Sequence, residues 1–352
     1  MKGQSKSLGG RGAWWLLALA LLAAASWLAL GESAARLTPE KLYHHLGSPM
    51  LRLLAYMGVG LLVGQAIESL GWAARLGGWA APLLKWGHFS RESGASFTAA
   101  CFSGLLANTM LWTFYQEGKL SLREMTLAYL FNGGLPVYLL HLPTTFFIIL
   151  PLTWEAGLIY LALTGCAALL RSIAILLYGR GRLPAVSAAA APPLPAPPAP
   201  KAGLAREIWR KFRRRFSRVV LYTLPIYFLI FLLNDWGLFT WLRQGAASHA
   251  ALSFLPMEAA SVVIFSVAAE FTSGMAAAGA FLQTGVLTVH QTVLALVLGN
   301  IVATPIRALR HQLPTHVGIF SPGLGTRLLL LSQGMRLISL VLVAAPYAWW
   351  RG

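Results

Sequence analysis

The chain has 352 residues, 57% hydrophobic and 11% charged, with 28 Lys and Arg against 11 Asp and Glu for a net charge of +17. A soluble domain carries about 25% charged residues, so this composition excludes an ordinary water-soluble enzyme or binding module and predicts a polytopic membrane protein. Once the apolar spans are set aside no folded basic domain remains, which argues against nucleic-acid binding; the positive excess fits cytoplasmic loops facing anionic lipid.

Lys2, Lys6 and Arg11 precede an apolar run at 14–30, and Gly31-Glu32-Ser33-Ala34-Ala35 is a poor cleavage site. Residues 1–48 therefore read as an uncleaved signal anchor with a cytoplasmic N-terminus, followed by a short outside segment. From 49 to 178 the chain offers apolar runs at 50–70, 93–115, 127–140 and 156–178. A short piece at 144–150, bracketed by Pro143 and Pro151, adds a fifth, irregular pass. The loop with Arg75, Lys85 and Arg91 suits the cytoplasm. Residues 179–217 form a boundary. Its Ala/Pro-rich part, 188–200, reads as an extended linker, and 206–218 as a basic amphipathic helix on the anionic inner leaflet. That helix carries Arg206, Arg210, Lys211, Arg213, Arg214, Arg215 and Arg218 around Trp209, Phe212 and Phe216. Residues 218–352 then offer runs at 219–233, 259–281, 292–306, 317–320 and 328–350.

The two long stretches match at a nearly constant spacing of about 167 residues. Glu92 falls on Glu258, and Gly118-Lys119-Leu120-Ser121 on Gly285-Val286-Leu287-Thr288. Leu142-Pro143-Thr144 falls on Leu313-Pro314-Thr315, Pro151 on Pro322, and Arg171 near Arg336. The expected fold is an all-α integral membrane protein of ten or eleven passes in two repeats with discontinuous helices. Five passes per copy is odd, so the copies are expected to be inverted, with a site near the midplane between them. Arg307, Arg310 and His311 would then face outside, against the charge rule. Either one pass count is wrong or these residues lie inside the protein.

Asn132-Gly133-Gly134-Leu135-Pro136 and Gly299-Asn300, with Pro305 and Arg307 downstream, combine helix-breaking residues with a polar side chain inside apolar runs. Such breaks are either packing kinks or discontinuous helices lining a cavity. Glu92 and Glu258 stand just before spans, where a carboxylate either caps a helix or takes part in binding. Glu270 lies deeper in a span, a costly position that implies a cavity or a partner. Arg171 and Arg336 either snorkel to the interface or serve the site. Asn132, Gly133, Gly134, Pro136, Asn300, Pro305, Arg307, Glu92, Glu258 and Glu270 are thus the candidate solute-binding residues. Cys101 and Cys166 have no ligand pattern around them, and His88, His141, His311 and His316 lack metal-ligand spacing. No G-x-S-x-G, H-E-x-x-H or Walker loop is present, so neither enzyme activity, metal nor cofactor is expected.

A Glu before a small-residue-rich span, Gly-x-Leu-Ser/Thr after it, then an Asn/Gly break and a Pro, resembles the nucleoside-recognition or Gate domain family. That family includes spore maturation membrane proteins and is similar to gate segments of ferrous iron permeases and concentrative nucleoside transporters. The resemblance covers 49–178 and, more weakly, 219–347, and implies transport-like or gating architecture. The expectation is an inner-membrane permease or gate for a small polar or anionic solute, with the central linker cytoplasmic. The rival is a non-transporting membrane protein that assembles with or regulates a partner. A homo-oligomer is compatible with either.

Overall fold

A computed structural model describes residues 40, 43, 47–69, 82–101, 103–185, 203–235, 256–268 and 271–349. The expected signal anchor at 14–30, the linker at 188–200 and Glu270 lie outside the described residues. Among the described residues there is no strand. The main helices are α1 (Ser48–Ser69), α2 (Arg91–Ala100), α3 (Gly104–Gln116), α4 (Leu122–Asn132), α5 (Leu135–Thr153) and α6 (Glu155–Arg182). They are followed by α7 (Leu204–Asp235), α8 (Met257–Ala268), α9 (Phe271–Gln283), α10 (Val289–Arg307), α11 (Leu313–Phe320) and α12 (Pro322–Trp349).

The chain writes its own helix starts. Ser90, Ser103 and Ser121 each accept the backbone N–H three residues on, which satisfies a donor that the first helical turn leaves open. Thr288 does the same for α10, and Gln291 returns the bond to complete a capping box. The links α3–α4 and α9–α10 are alike bond for bond. Gly118 and Gly285 take φ of 71° and 70°. Lys119 and Leu120 both donate to the Phe114 carbonyl, as Val286 and Leu287 both donate to that of Phe281. Only glycine enters this left-handed turn without steric cost, which is why Gly-x-Leu-Ser/Thr occurs at both.

Four stretches are long and apolar enough to cross a membrane: Leu122–Thr153, Glu155–Arg182, Val289–Arg307 and Pro322–Trp349. Their outward faces leave Leu158, Leu170, Leu177, Leu330, Ile338 and Leu342 exposed. Rows of exposed leucine on a long helix are unfavourable in water and ordinary against lipid tails. Between lipid-facing helices there is no hydrophobic driving force, so association rests on close packing, and small residues dominate the contacts. Ala276, Ala277, Ala278 and Ala280 of α9 are all buried. A Cβ on Gly279 would lie 2.6 Å from the Leu152 carbonyl oxygen of α5, so the two backbones touch there. Ser266 of α8 is wedged between Gly274 and Gly299, which lets α8, α9 and α10 converge.

Two large buried cores result among the described residues, and each crosses the chain's midpoint. One joins α5 and α6 to α8, α9, α10 and α12, with Tyr160, Phe281 and Leu340 among its members. The other joins α2, α3, α4 and α6 to α11 and α12, through Met125, Phe131, Phe320 and Leu328. Helices α6 and α12, both 28 residues long, pack directly on each other.

Several expected elements differ. The run at 93–115 is not one helix: α2 ends at Ala100, α3 begins at Gly104, and the two pack together. Ser103 provides the second N-cap, a signal hidden inside an apolar run. The short piece between Pro143 and Pro151 is instead part of continuous α5, which carries both prolines internally. Proline removes one ladder bond and the rest of the helix persists around it. The break at Asn132 is real: α4 ends there, and the Leu135 N–H of the next helix donates to Ser172 Oγ at 3.1 Å. The stretch at Asn300 and Pro305 is not broken. Helix α10 runs through both residues to Arg307 and then widens into a π-turn, Ala308–Gln312, before α11. The basic segment 206–218 is the first part of α7, a single 32-residue helix. There Glu207 pairs with Lys211 at 2.9 Å, and Phe212 stacks on Phe216.

Candidate functional site

The packing of α5, α6, α9, α10 and α12 forms a partly open cavity of about 510 Å³. Helical periodicity puts its walls together. Tyr138, His141 and Thr145 form one stripe of α5, and Tyr160, Thr164, Ala167 and Arg171 one stripe of α6. Helix α10 contributes Asn300, Thr304 and Arg307, followed by His311 in the π-turn, at steps of four, three and four residues. Arg336 and Leu340 come from α12, and Phe271, Thr272 and Met275 from α9. Gly133 forms part of the wall at the α4–α5 turn, where a missing side chain leaves room.

Asn300 is the hub of the polar wall. Its amide donates to Tyr160 Oη at 2.5 Å, and its carbonyl oxygen accepts from Thr304 Oγ1 at 2.6 Å and from Arg336 at 3.5 Å. Arg307 donates to Thr304 at 3.4 Å and stands 5.6 Å over the Phe271 ring. Arg171 donates to Ser339 Oγ at 3.3 Å. Tyr138 donates to the Leu161 carbonyl at 2.8 Å, bracing α5 on α6. The wall thus holds three guanidinium groups, and no Asp or Glu is among its described residues. Arg336 is near enough to Arg171 and to Arg307 for their charges to repel. Like charges that share one polar space repel one another, which disfavours their crowding.

The expected site residues divide. Asn300, Arg307 and Gly133 line the cavity. Arg307 is half-buried on the cavity wall, and His311, also on the wall, is exposed. Asn132 does not line the cavity. Its amide donates to Ser96 Oγ at 3.1 Å, which ties α4 to α2, so the two asparagines do not meet. Gly134 and Pro136 support the turn behind the wall; a Cβ on Gly134 would lie 2.6 Å from Ser172 Oγ. Pro305 is internal to α10 without lining the cavity. Glu92 is in the first turn of α2 and away from the cavity. The carboxylate that braces that helix start, beside the Ser90 cap, is Glu124, whose Oε1 accepts from Ser90 N at 2.7 Å and Ser93 Oγ at 2.8 Å. Glu258 is buried in the first turn of α8, also off the cavity wall. Tyr138, Tyr160, Thr164 and Thr304 escaped the sequence reading, although the steps Tyr160–Thr164–Ala167–Arg171 and Asn300–Thr304–Arg307 were there to be found.

A second polar contact lies between α4 and α11. His316 donates Nδ1–H to the Gln312 carbonyl at 2.8 Å, so its Nε2 accepts from Tyr129 Oη, also at 2.8 Å. No group of three His, Cys, Asp or Glu among the described residues could hold a metal ion.

No family model matches the chain, and no solved structure matches it. Two proteins of Methanocaldococcus jannaschii are similar. The uncharacterized protein MJ0871 is 24% identical over 286 residues, covering 79% of this chain and 87% of its own length. The uncharacterized protein MJ0880 is 22% identical over 289 residues, covering 77% and 88%. The similarity thus extends over most of all three chains.

Proposed function

We propose that the chain is a membrane permease for a small anionic solute, which binds in the cavity between two inverted repeats. The observation that carries this reading is the cavity wall: arginines from both halves of the chain converge on one polar space. Arg171 of α6 and Arg336 of α12 lie near the middle of the two packed 28-residue helices, and both line the cavity. A volume of about 510 Å³ falls in the range of small-molecule sites, roughly 300–1,000 Å³. Ionisable groups inside a membrane are expensive and mark solute paths.

The repeat reading draws on parallel element order. Helices α2, α3, α4 and α6 correspond to α8, α9, α10 and α12, and the two glycine turns are built alike. The exchange of helices between the two cores supports a pseudo-two-fold relation. An in-plane axis would place the cavity midway across the bilayer, as alternating access needs. The plasma membrane, with the central linker cytoplasmic, is the setting that the basic residues of 206–218 favour. Likeness to the Gate domain family remains in keeping with this reading.

The test is flux. Purified protein in liposomes, loaded with one labelled anion at a time, is expected to exchange at least one small anion faster than empty liposomes do, and Arg336→Gln to abolish the exchange. Exchange of neutral solutes alone, or none with a well-folded protein across a broad anion panel, overturns the proposal and favours the partner-assembling alternative.

A further inference from the structure

Resting on the reading of the cavity as an anion site, we infer that its ligand carries a doubly charged oxyanion headgroup, of the phosphate or sulfate type, on a small apolar body. The headgroup bridges Arg171 and Arg336 and so ties α6 to α12.

Charge comes first. Arg171 and Arg336 each have a neutral partner, the Ser339 hydroxyl and the Asn300 carbonyl oxygen, at 3.3 and 3.5 Å. Those are long for guanidinium bonds, and each fork keeps donors to spare. No carboxylate among the described residues of the wall compensates either charge. A monovalent ligand leaves one of the two guanidinium groups without a counter-charge from the described wall, while a dianion matches both. Arginine's planar fork suits oxygen pairs on phosphate or sulfate, where two parallel bonds form. The Tyr160 hydroxyl accepts from the Asn300 amide and keeps its own O–H to meet a further oxygen, whereas the Thr304 proton is held by the Asn300 carbonyl.

Shape comes second. Beyond the polar end the wall turns apolar at Leu142, Ile148, Met275 and Leu340. A bare inorganic ion would leave this surface facing water, whereas an organic ester fills it. Position comes third. The two arginines sit on different long helices that pack together, so one headgroup held by both closes the contact from each side. Without a ligand the like charges oppose that packing. The ligand's valence thus becomes the signal that distinguishes a loaded carrier from an empty one.

The experiment uses the full chain in detergent, with thermal unfolding as readout and ionic strength held constant. The probes are sulfate, nitrate, inorganic phosphate and phenyl phosphate at pH 8, where the phosphates are dianions. Sulfate is expected to protect at concentrations at least tenfold below nitrate, and phenyl phosphate to protect at least as well as inorganic phosphate. Arg171→Gln and Arg336→Gln are expected to erase the sulfate preference while leaving the unliganded melting temperature equal or higher, because a buried repelling charge is gone. If nitrate matches sulfate, the valence inference fails and the anion reading stands. If no anion of either valence protects, the anion reading itself fails. If the variants melt lower and keep the preference, these arginines only pack helices and the inference is overturned.

Discussion

Gly279→Ala adds one methyl where two halves of the chain meet backbone to backbone. The new Cβ would be 2.6 Å from the Leu152 carbonyl oxygen, 3.1 Å from its carbonyl carbon and 3.1 Å from its Cβ. Ordinary contact begins near 3.4 Å, so α9 and α5 must separate by several tenths of an ångström. The obstacle is backbone and has no rotamer to escape into. Overpacking of this kind costs about 1–3 kcal/mol. Gly94 and Gly334 are helical glycines with nothing within 4 Å of an added Cβ. There the same change should be neutral, or stabilising by about 0.4–1 kcal/mol through the unfolded chain. The assay is thermal unfolding of the three purified variants in one detergent, alongside the parent. Gly279→Ala is expected to melt several degrees lower, with Gly94→Ala and Gly334→Ala at or above the parent. A Gly279→Ala protein as stable as the two controls would refute the close approach of α9 to α5.

Asn300→Leu removes the partner of Tyr160, Thr304 and Arg336 together; it is expected to abolish anion protection and to cost about 1–3 kcal/mol for the Tyr160 hydroxyl left buried, read by ligand-dependent melting. Tyr129→Phe leaves His316 Nε2 without its donor and should lower the melting temperature. Combining it with His316→Phe should cost less than the sum of the two single changes, with a coupling of about 0.5–3 kcal/mol in a double-mutant cycle. With Cys101 and Cys166 replaced by serine, a cysteine at Ser187 should resist an impermeant thiol reagent added to intact cells, and labelling from outside would reverse the orientation.

How far the sequence could be read depended on which residues made the signal. Composition and apolar length were enough for a helical chain with membrane-length segments, because lipid-facing helices such as α6 and α12 must be apolar along most of their length. The glycine turns were legible because φ near +70° restricts the residue type at Gly118 and Gly285. The prolines misled. Pro143, Pro151 and Pro305 all lie within continuous helices, since one lost ladder bond does not end a helix held by its neighbours. Conversely, a serine cap at Ser103 starts a second helix in a run that its apolar neighbours appeared to continue. Asn132 and Asn300 look alike in the chain and part company in space, because their partners, Ser96 and Tyr160, are tertiary contacts that no local pattern encodes. Arg171 and Arg336 were visible as arginines inside long apolar runs. Their turn toward the cavity followed from the 3.6-residue stripes of α6 and α12, a periodicity that a uniformly apolar helix conceals.

The central claim is that anions pass through the cavity walled by Arg171, Arg307 and Arg336. Thr145 lines that cavity from α5 and offers a direct measurement. In a chain with both native cysteines replaced, Thr145→Cys is reconstituted into liposomes, its anion flux recorded, and the thiol then modified to completion with a bulky sulfonate reagent. Flux is expected to fall to the level of empty liposomes, and the transported anion to slow the modification at least tenfold. Undiminished flux after complete modification would contradict the account.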